Sequence, residues 1–114
     1  MPNLTAALRA LLAHTGDLRS VTRTSSEVTL AVELERDDLD GFWLAYCPTL
    51  PGAASQGGTI DAAVASLMDA VDGVLRSALA ERFGEIETDV VAEKPSPDTR
   101  AMKVTISAAD PVAS

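Results

Sequence analysis

The stretch from Phe42 to Leu75, FWLAYCPTLPGAASQGGTIDAAVASLMDAVDGVL, decides how this chain folds. Its first six residues, Phe42-Trp43-Leu44-Ala45-Tyr46-Cys47, are aromatic and apolar, as a strand requires. Pro48 and Pro51 lack the amide that a ladder needs, so Pro48-Thr49-Leu50-Pro51-Gly52 is predicted to be a rigid corner. Ala53-Ala54-Ser55-Gln56 then forms a short third strand, which Gly57-Gly58 stops. Thr59 stands where a helix N-cap belongs. Beyond it Ile60, Val64, Leu67, Val71, Val74, Leu75 and Ala78 fall on one helical stripe, and Asp61, Asp69, Asp72 and Arg76 fall away from it. Asp61 in the first turn suits the positive end of the helix dipole. Gly73 costs about 1 kcal/mol relative to alanine, which predicts either close packing or a bend there. Phe83-Gly84 should end the helix, with Gly84 as its cap.

Before this stretch the hydrophobic period is two. Val28, Leu30, Val32 and Leu34 alternate with Thr29, Ala31, Glu33 and Glu35, the pattern of a strand with one buried and one wet face. Arg36-Asp37-Asp38-Leu39-Asp40-Gly41 supplies turn residues, so this strand and the next are expected to pair as a hairpin. At the start of the chain Leu4, Leu8, Leu11 and Leu12 recur at helical spacing, with Asn3 or Thr5 as cap and His14 and Gly16 at the stop. Residues 17–26 are polar and read as a linker or extended approach. After the long helix, Ile86 to Glu93 suits a short strand, Lys94-Pro95-Ser96-Pro97-Asp98 a break, and Met102 to Ser107 a last alternating strand. Residues 108–114 look frayed.

Composition limits the function. With 114 residues the chain suits one domain. Its only aromatics are Phe42, Trp43, Tyr46 and Phe83, so the core must come from Val, Leu, Ile and Ala. The net charge is −8 and it is uneven. Residues 1–26 carry three arginines against one aspartate, a balance of +2, and the remainder carries −10. An acidic body repels phosphate, so nucleic-acid binding by the chain alone is disfavoured, and a basic protein is the natural complement. The single cysteine, Cys47, fits a reducing cytoplasm. The apolar start lacks a basic leader and is too short to span a membrane.

The segment from Tyr46 and Pro48 through Leu50-Pro51-Gly52, Ser55, Gly57-Gly58-Thr59, Ala62, Ala63, Leu67 and Ala70 resembles the core of the HicB-like antitoxin family. The preceding VTLAVELERDDLDG, residues 28–41, is similar to that family's first strand and acidic hairpin turn. The likeness covers roughly residues 27–79, and the residues it shares mostly build structure: a corner, a cap, close helix-to-sheet approach. The resemblance implies an α+β fold with a truncated RNase H-like βββαβ core, here with an added N-terminal helix. It implies residues 1–26 as helix and linker, 27–93 as the core domain and 94–114 as strand and tail. It also implies a partner, a small basic RNA-cleaving toxin of the HicA type, and homo-oligomer formation. Such proteins often carry a C-terminal DNA-binding module. Met102 to Ser107 is similar to the opening strand of a ribbon-helix-helix unit, but the helices that should follow it are missing. The simpler reading is that this strand completes the sheet or pairs between subunits.

No motif here promises chemistry. A nuclease of this fold class would need carboxylates converging on divalent metal ions, and Glu33, Glu35, Asp61 and Asp69 are the candidates. Charged residues on the wet face of a strand are ordinarily just solvated. Cys47 ends a strand and has no neighbour to activate it. His14 lies far in sequence from any acid cluster. No phosphate-cradling loop and no metal-ligand spacing is present. The expectation is therefore a binding protein, not an enzyme, with no catalytic or metal residues and no cofactor. Glu33, Glu35, Asp37, Asp38 and Asp40 are the candidate contacts for a basic partner, with Trp43 as apolar anchor. The alternatives are a free-standing oligomeric module of this fold with another partner, and a transcriptional autoregulator.

Overall fold

The computed structural model describes residues 4–12, 18–22, 25–96 and 99–108. Two helices and six strands follow one another as α1 (Leu4–Leu11), β1 (Arg19–Thr22), β2 (Ser25–Arg36), β3 (Trp43–Tyr46), β4 (Ala54–Gly57), α2 (Ile60–Phe83), β5 (Ile86–Ser96) and β6 (Thr99–Ala108). The fold is α+β. Its sheet runs β4-β3-β2-β6-β5, with every pairing antiparallel, and β1 pairs with β2.

β2 organises the sheet. Along one edge it pairs with β6 from Ser25↔Ser107 to Val32↔Arg100. Along the other it pairs with β1 near its start and with β3 near its end, from Glu33↔Tyr46 to Arg36↔Trp43. Its alternation works as the sequence predicts: Val28, Leu30 and Val32 are buried, while Ala31, Glu33 and Glu35 are exposed. The buried row continues across the sheet through Ile106, Val104 and Met102 of β6.

The corner after β3 is closed by backbone hydrogen bonds from Cys47 N to Ala53 O and from Ala53 N to Leu50 O, both 3.2 Å, around a fully buried Leu50. Gly52 takes a φ of 93°, in the left-handed region that favours glycine. Thr59 caps α2, its hydroxyl accepting from the Ala62 amide at 3.0 Å. Gly84 ends it with φ 64°, its backbone N–H donating a 2.8 Å hydrogen bond to Ala80 O. Ala63, Val64, Leu67, Val71, Leu75 and Leu79 point into the core. They join the buried row of the sheet and the Leu4, Ala7 and Leu8 face of α1 in one hydrophobic cluster.

Several expectations change. The segment read as a linker contains a strand, because the Arg19–Thr22 backbone finds an open edge at the start of β2, and Leu18 beside it is buried. Thr5 does not cap α1; it lies inside the helix, and its hydroxyl shares a buried 2.7 Å hydrogen bond with that of Ser26. Asn3, His14 and Gly16 lie outside the described residues. The last turn of α2 buries Leu79, and Ala78 is exposed. Gly73 is not a close-packing site, since a β-carbon there would meet nothing within 4 Å. β5 runs through Lys94 and Pro95 to Ser96 instead of breaking. Pro95 is tolerated because β5 is an edge strand, although the register shifts between Glu93 and Ser96. Of the two readings for Met102–Ser107, completion of the sheet holds: β6 is inserted between β2 and β5, both edges paired. A strand so placed is not free to act as a DNA-binding ribbon.

Candidate partner-binding surface

Strand alternation assigns each charged side chain to a face. Both helices pack with Val28, Leu30, Met102 and Val104 on one face of the sheet. The opposite face is covered by no element among the described residues. On it, reading across the cross-strand registers, stand Asp89, Thr105 and Glu27, then Val91, Lys103 and Thr29, then Glu93, Ala101 and Ala31. Further along β2, Glu33 stands beside Tyr46 and Glu35 beside Leu44. Glu87 adds a further acid at the other end.

This open face has an acidic rim and a small, weakly polar centre. Among the described residues only Glu27 is neutralised, by Arg19 and by Lys103, each at 3.6 Å. Glu33, Glu35, Glu87, Asp89 and Glu93 make no ion pair among the described residues. Residues two apart on a strand stand roughly 7 Å from each other on the same face. Five acids so arrayed, with the two basic side chains of this face spent on Glu27, project a negative field.

The six candidate residues separate into three groups. Glu33 and Glu35 are exposed, adjacent, and on the open face. Asp37 is used by the turn: its carboxylate accepts from the amides of Leu39 (2.9 Å) and Asp40 (3.2 Å), while its backbone pairs with Phe42 and Gly41. Asp38 and Asp40 are exposed at the tip of the turn. Trp43 pairs with Arg36, is half-buried, and packs against the core, so it lies on the face opposite Glu33 and Glu35. The apolar side chains that accompany the acids are Leu44 and Tyr46, one residue to either side of Ala45 in the register.

Sequence reasoning missed Leu39, which is 95 % exposed between Asp38 and Asp40. An isolated apolar residue in a polar turn carries no periodic signal, so only the structure shows it at the tip. The acids of β5 were also missed as partners of Glu33 and Glu35. Their register depends on β6 lying between β5 and β2, which no local pattern announces.

The carboxylates that nuclease chemistry would need do not converge. Glu33 and Glu35 are on the open face, and Asp61 and Asp69 are on α2, across the sheet. No group of three or more His, Cys, Asp or Glu side chains among the described residues is arranged to hold a metal ion. Cys47 is buried, and burial pushes its thiol up to about 11. On α2, Asp72 and Arg76 form a latch to β5. Arg76 contacts the Asp72 carboxylate at 3.1 Å and donates to Ile86 O at 2.7 Å, and the Thr88 hydroxyl hydrogen-bonds Asp72. That pair is structural. No described helix is long and apolar enough to cross a membrane.

The chain is similar to the UPF0150 protein ssr1765 of Synechocystis sp., with 29 % identity over 73 residues, covering 64 % of this chain and 92 % of that protein. No protein-family model matches it. No solved structure matches it.

Proposed function

We propose that this protein is an antitoxin-like inhibitor of the HicB type, which binds a small basic RNA-cleaving toxin on the open face of its sheet. The observation that carries this reading is the row of acids on that face that make no ion pair among the described residues, with Glu33 and Glu35 beside Leu44 and Tyr46. A sheet face with no described helix over it, rimmed by one sign of charge, suits a partner of opposite sign. Complementary charge speeds encounter and fixes orientation, and Leu44 and Tyr46 beside the acids supply the desolvated contact. The resemblance of residues 27–79 to the HicB-like core supports the reading, as does the similarity to a UPF0150 protein over most of that protein's length. In this reading β2, β3, β4 and α2 are the βββα part of a truncated RNase H-like βββαβ core, and the β5–β6 hairpin supplies its last strand, with β6 beside β2.

The test is rescue of growth. Any short basic reading frame found beside this gene is cloned under inducible control, and its toxicity is measured with and without this protein. Wild-type protein should restore growth, and the double substitution Glu33→Lys/Glu35→Lys should not; both positions are exposed, so the change leaves the core untouched, and circular dichroism of the variant checks that it is folded. Rescue by the double variant equal to wild type would remove the open face from the account. No rescue by wild type from any such partner would remove the antitoxin role.

A further inference from the structure

β4 ends the sheet, pairing with β3 from Tyr46↔Ala54 to Trp43↔Gly57 and with no described strand on its other side. The Cys47 amide bonds Ala53 O at 3.2 Å. Bonded and non-bonded pairs alternate along an antiparallel ladder, so Ser55 and Gly57 also turn their N–H and C=O toward β3. Ala54 and Gln56, both exposed, turn theirs outward. The opposite edge, β5, carries Lys94, Pro95 and a register shift, devices that keep a foreign strand from pairing. β4, Ala-Ser-Gln-Gly, has no charge, no proline and an unbroken register. Only its length of four residues limits it, to the outward groups of Ala54 and Gln56.

α2 leaves room beside this edge. Ala70, Gly73, Val74, Ser77 and Ala78 line a shallow depression of about 640 Å³ on the helix. Val74 sets it next to the corner that leads into β4, since a β-carbon on Gly52 would lie 4.0 Å from the Val74 Cγ2. Glycine is costly in a helix interior. Gly73 is exposed with open space around it, so packing within the described chain does not account for it. What complements the free backbone of a sheet edge is an extended chain. A second copy of this protein would bring −8 against −8, whereas a basic segment brings the opposite sign. The cross-strand rows Ala54–Tyr46–Glu33 and Gln56–Leu44–Glu35 also begin at this edge and end on acids without an ion pair among the described residues.

We infer that the edge of β4 takes up an extended, basic segment of the partner protein, which adds a strand to the sheet. The backbone of that segment meets the outward N–H and C=O groups of Ala54 and Gln56. One row of its side chains lies on the open face, at the outer end of the rows that hold Glu33 and Glu35. The other row lies against the Gly73 side of α2. The identity of the partner rests on the antitoxin reading; the edge adds how that partner is held and in what register.

The experiment is calorimetric titration of a candidate small basic toxin, encoded beside this gene, into the full chain and two variants. Gln56→Pro removes an outward N–H and leaves the ladder to β3 intact. Gly73→Leu fills the depression on α2 from a position with open space around it. Thermal unfolding should place Gly73→Leu at or above wild type, because leucine is the better helix former. Each variant should bind at least about tenfold more weakly than wild type. Hydrogen exchange should show the Ala54 and Gln56 amides protected in the wild-type complex and not in the free chain. Should Gln56→Pro fail to fold, Gly73→Leu and the exchange of these two amides decide. Undiminished binding by Gly73→Leu, or amides that exchange as fast in the complex as outside it, overturns the inference and leaves the acidic face standing. A wild-type dimer on sedimentation that Gln56→Pro abolishes gives the edge to a second copy, which overturns it too. No binding to wild type removes the antitoxin reading and this inference with it.

Discussion

A β-carbon built on Gly57 would lie 2.5 Å from the amide nitrogen of Ala63 and 2.7 Å from the carbonyl carbon of Ala62. Both are backbone atoms in the first turn of α2, which cannot give way without moving the helix. The neighbouring Gly58 meets nothing within 4 Å. Gly57→Ala is therefore expected to destabilise the fold by about 2–3 kcal/mol or more, as overpacking does, while Gly58→Ala stays within about 1 kcal/mol of wild type. Urea denaturation of the two variants checks this, and equal effects would contradict the close approach of β4 to α2. Cys47 gives a second prediction at this scale. Its folded pKa of about 11 exceeds the unfolded 9.0, so the native state holds the proton longer than the unfolded chain. The stability that this group contributes is complete below pH 9 and is lost as pH rises toward about 11. Alkaline unfolding titrations of wild type and Cys47→Ala should show a steeper loss in wild type over that interval. The native thiol should also react slowly with a disulfide reagent at pH 8, since thiolate is scarce and buried.

Most elements were readable from short-range pattern. The alternation from Val28 to Leu34, the Pro-Gly corner and the capped stripe of α2 each declare themselves within a few residues. β1 was not readable, because its polar residues form a strand only where the edge of β2 receives them. The place of β6 was not fully readable either. Its sequence shows a strand, but its position between β2 and β5 comes from pairing residues about seventy to eighty apart. The candidate site was half readable for the same reason. Glu33 and Glu35 follow from the period of two, whereas the acids of β5 join them only through β6. Trp43 was misplaced as their neighbour because it falls one residue out of phase with Leu44. The central position of β6 makes its own prediction. Met102 is fully buried, so Met102→Ala should cost about 2–5 kcal/mol, the range for core truncations. If the segment were a loose tail, the same change would leave the thermal midpoint unmoved. Leu8→Ala on α1 should behave like Met102→Ala, since Leu8 belongs to the same cluster.

At the scale of the whole molecule, charge and covering divide the surface. One face of the sheet is closed by α1 and α2 and holds the core. Among the described residues the other is open, and its acids are unpaired except for Glu27. Binding that depends on the rim should weaken as salt rises, because exposed charges are screened over about 8 Å at physiological ionic strength. The most direct measurement is calorimetric titration of a candidate small basic toxin, encoded beside this gene, into wild type and into Glu33→Lys/Glu35→Lys, at low and at high salt. The account predicts saturable binding to wild type that weakens with salt, and at least about a tenfold loss in the variant, as reversal of close charge pairs produces. Binding of equal strength to both proteins, or no binding to wild type at either salt concentration, would contradict it.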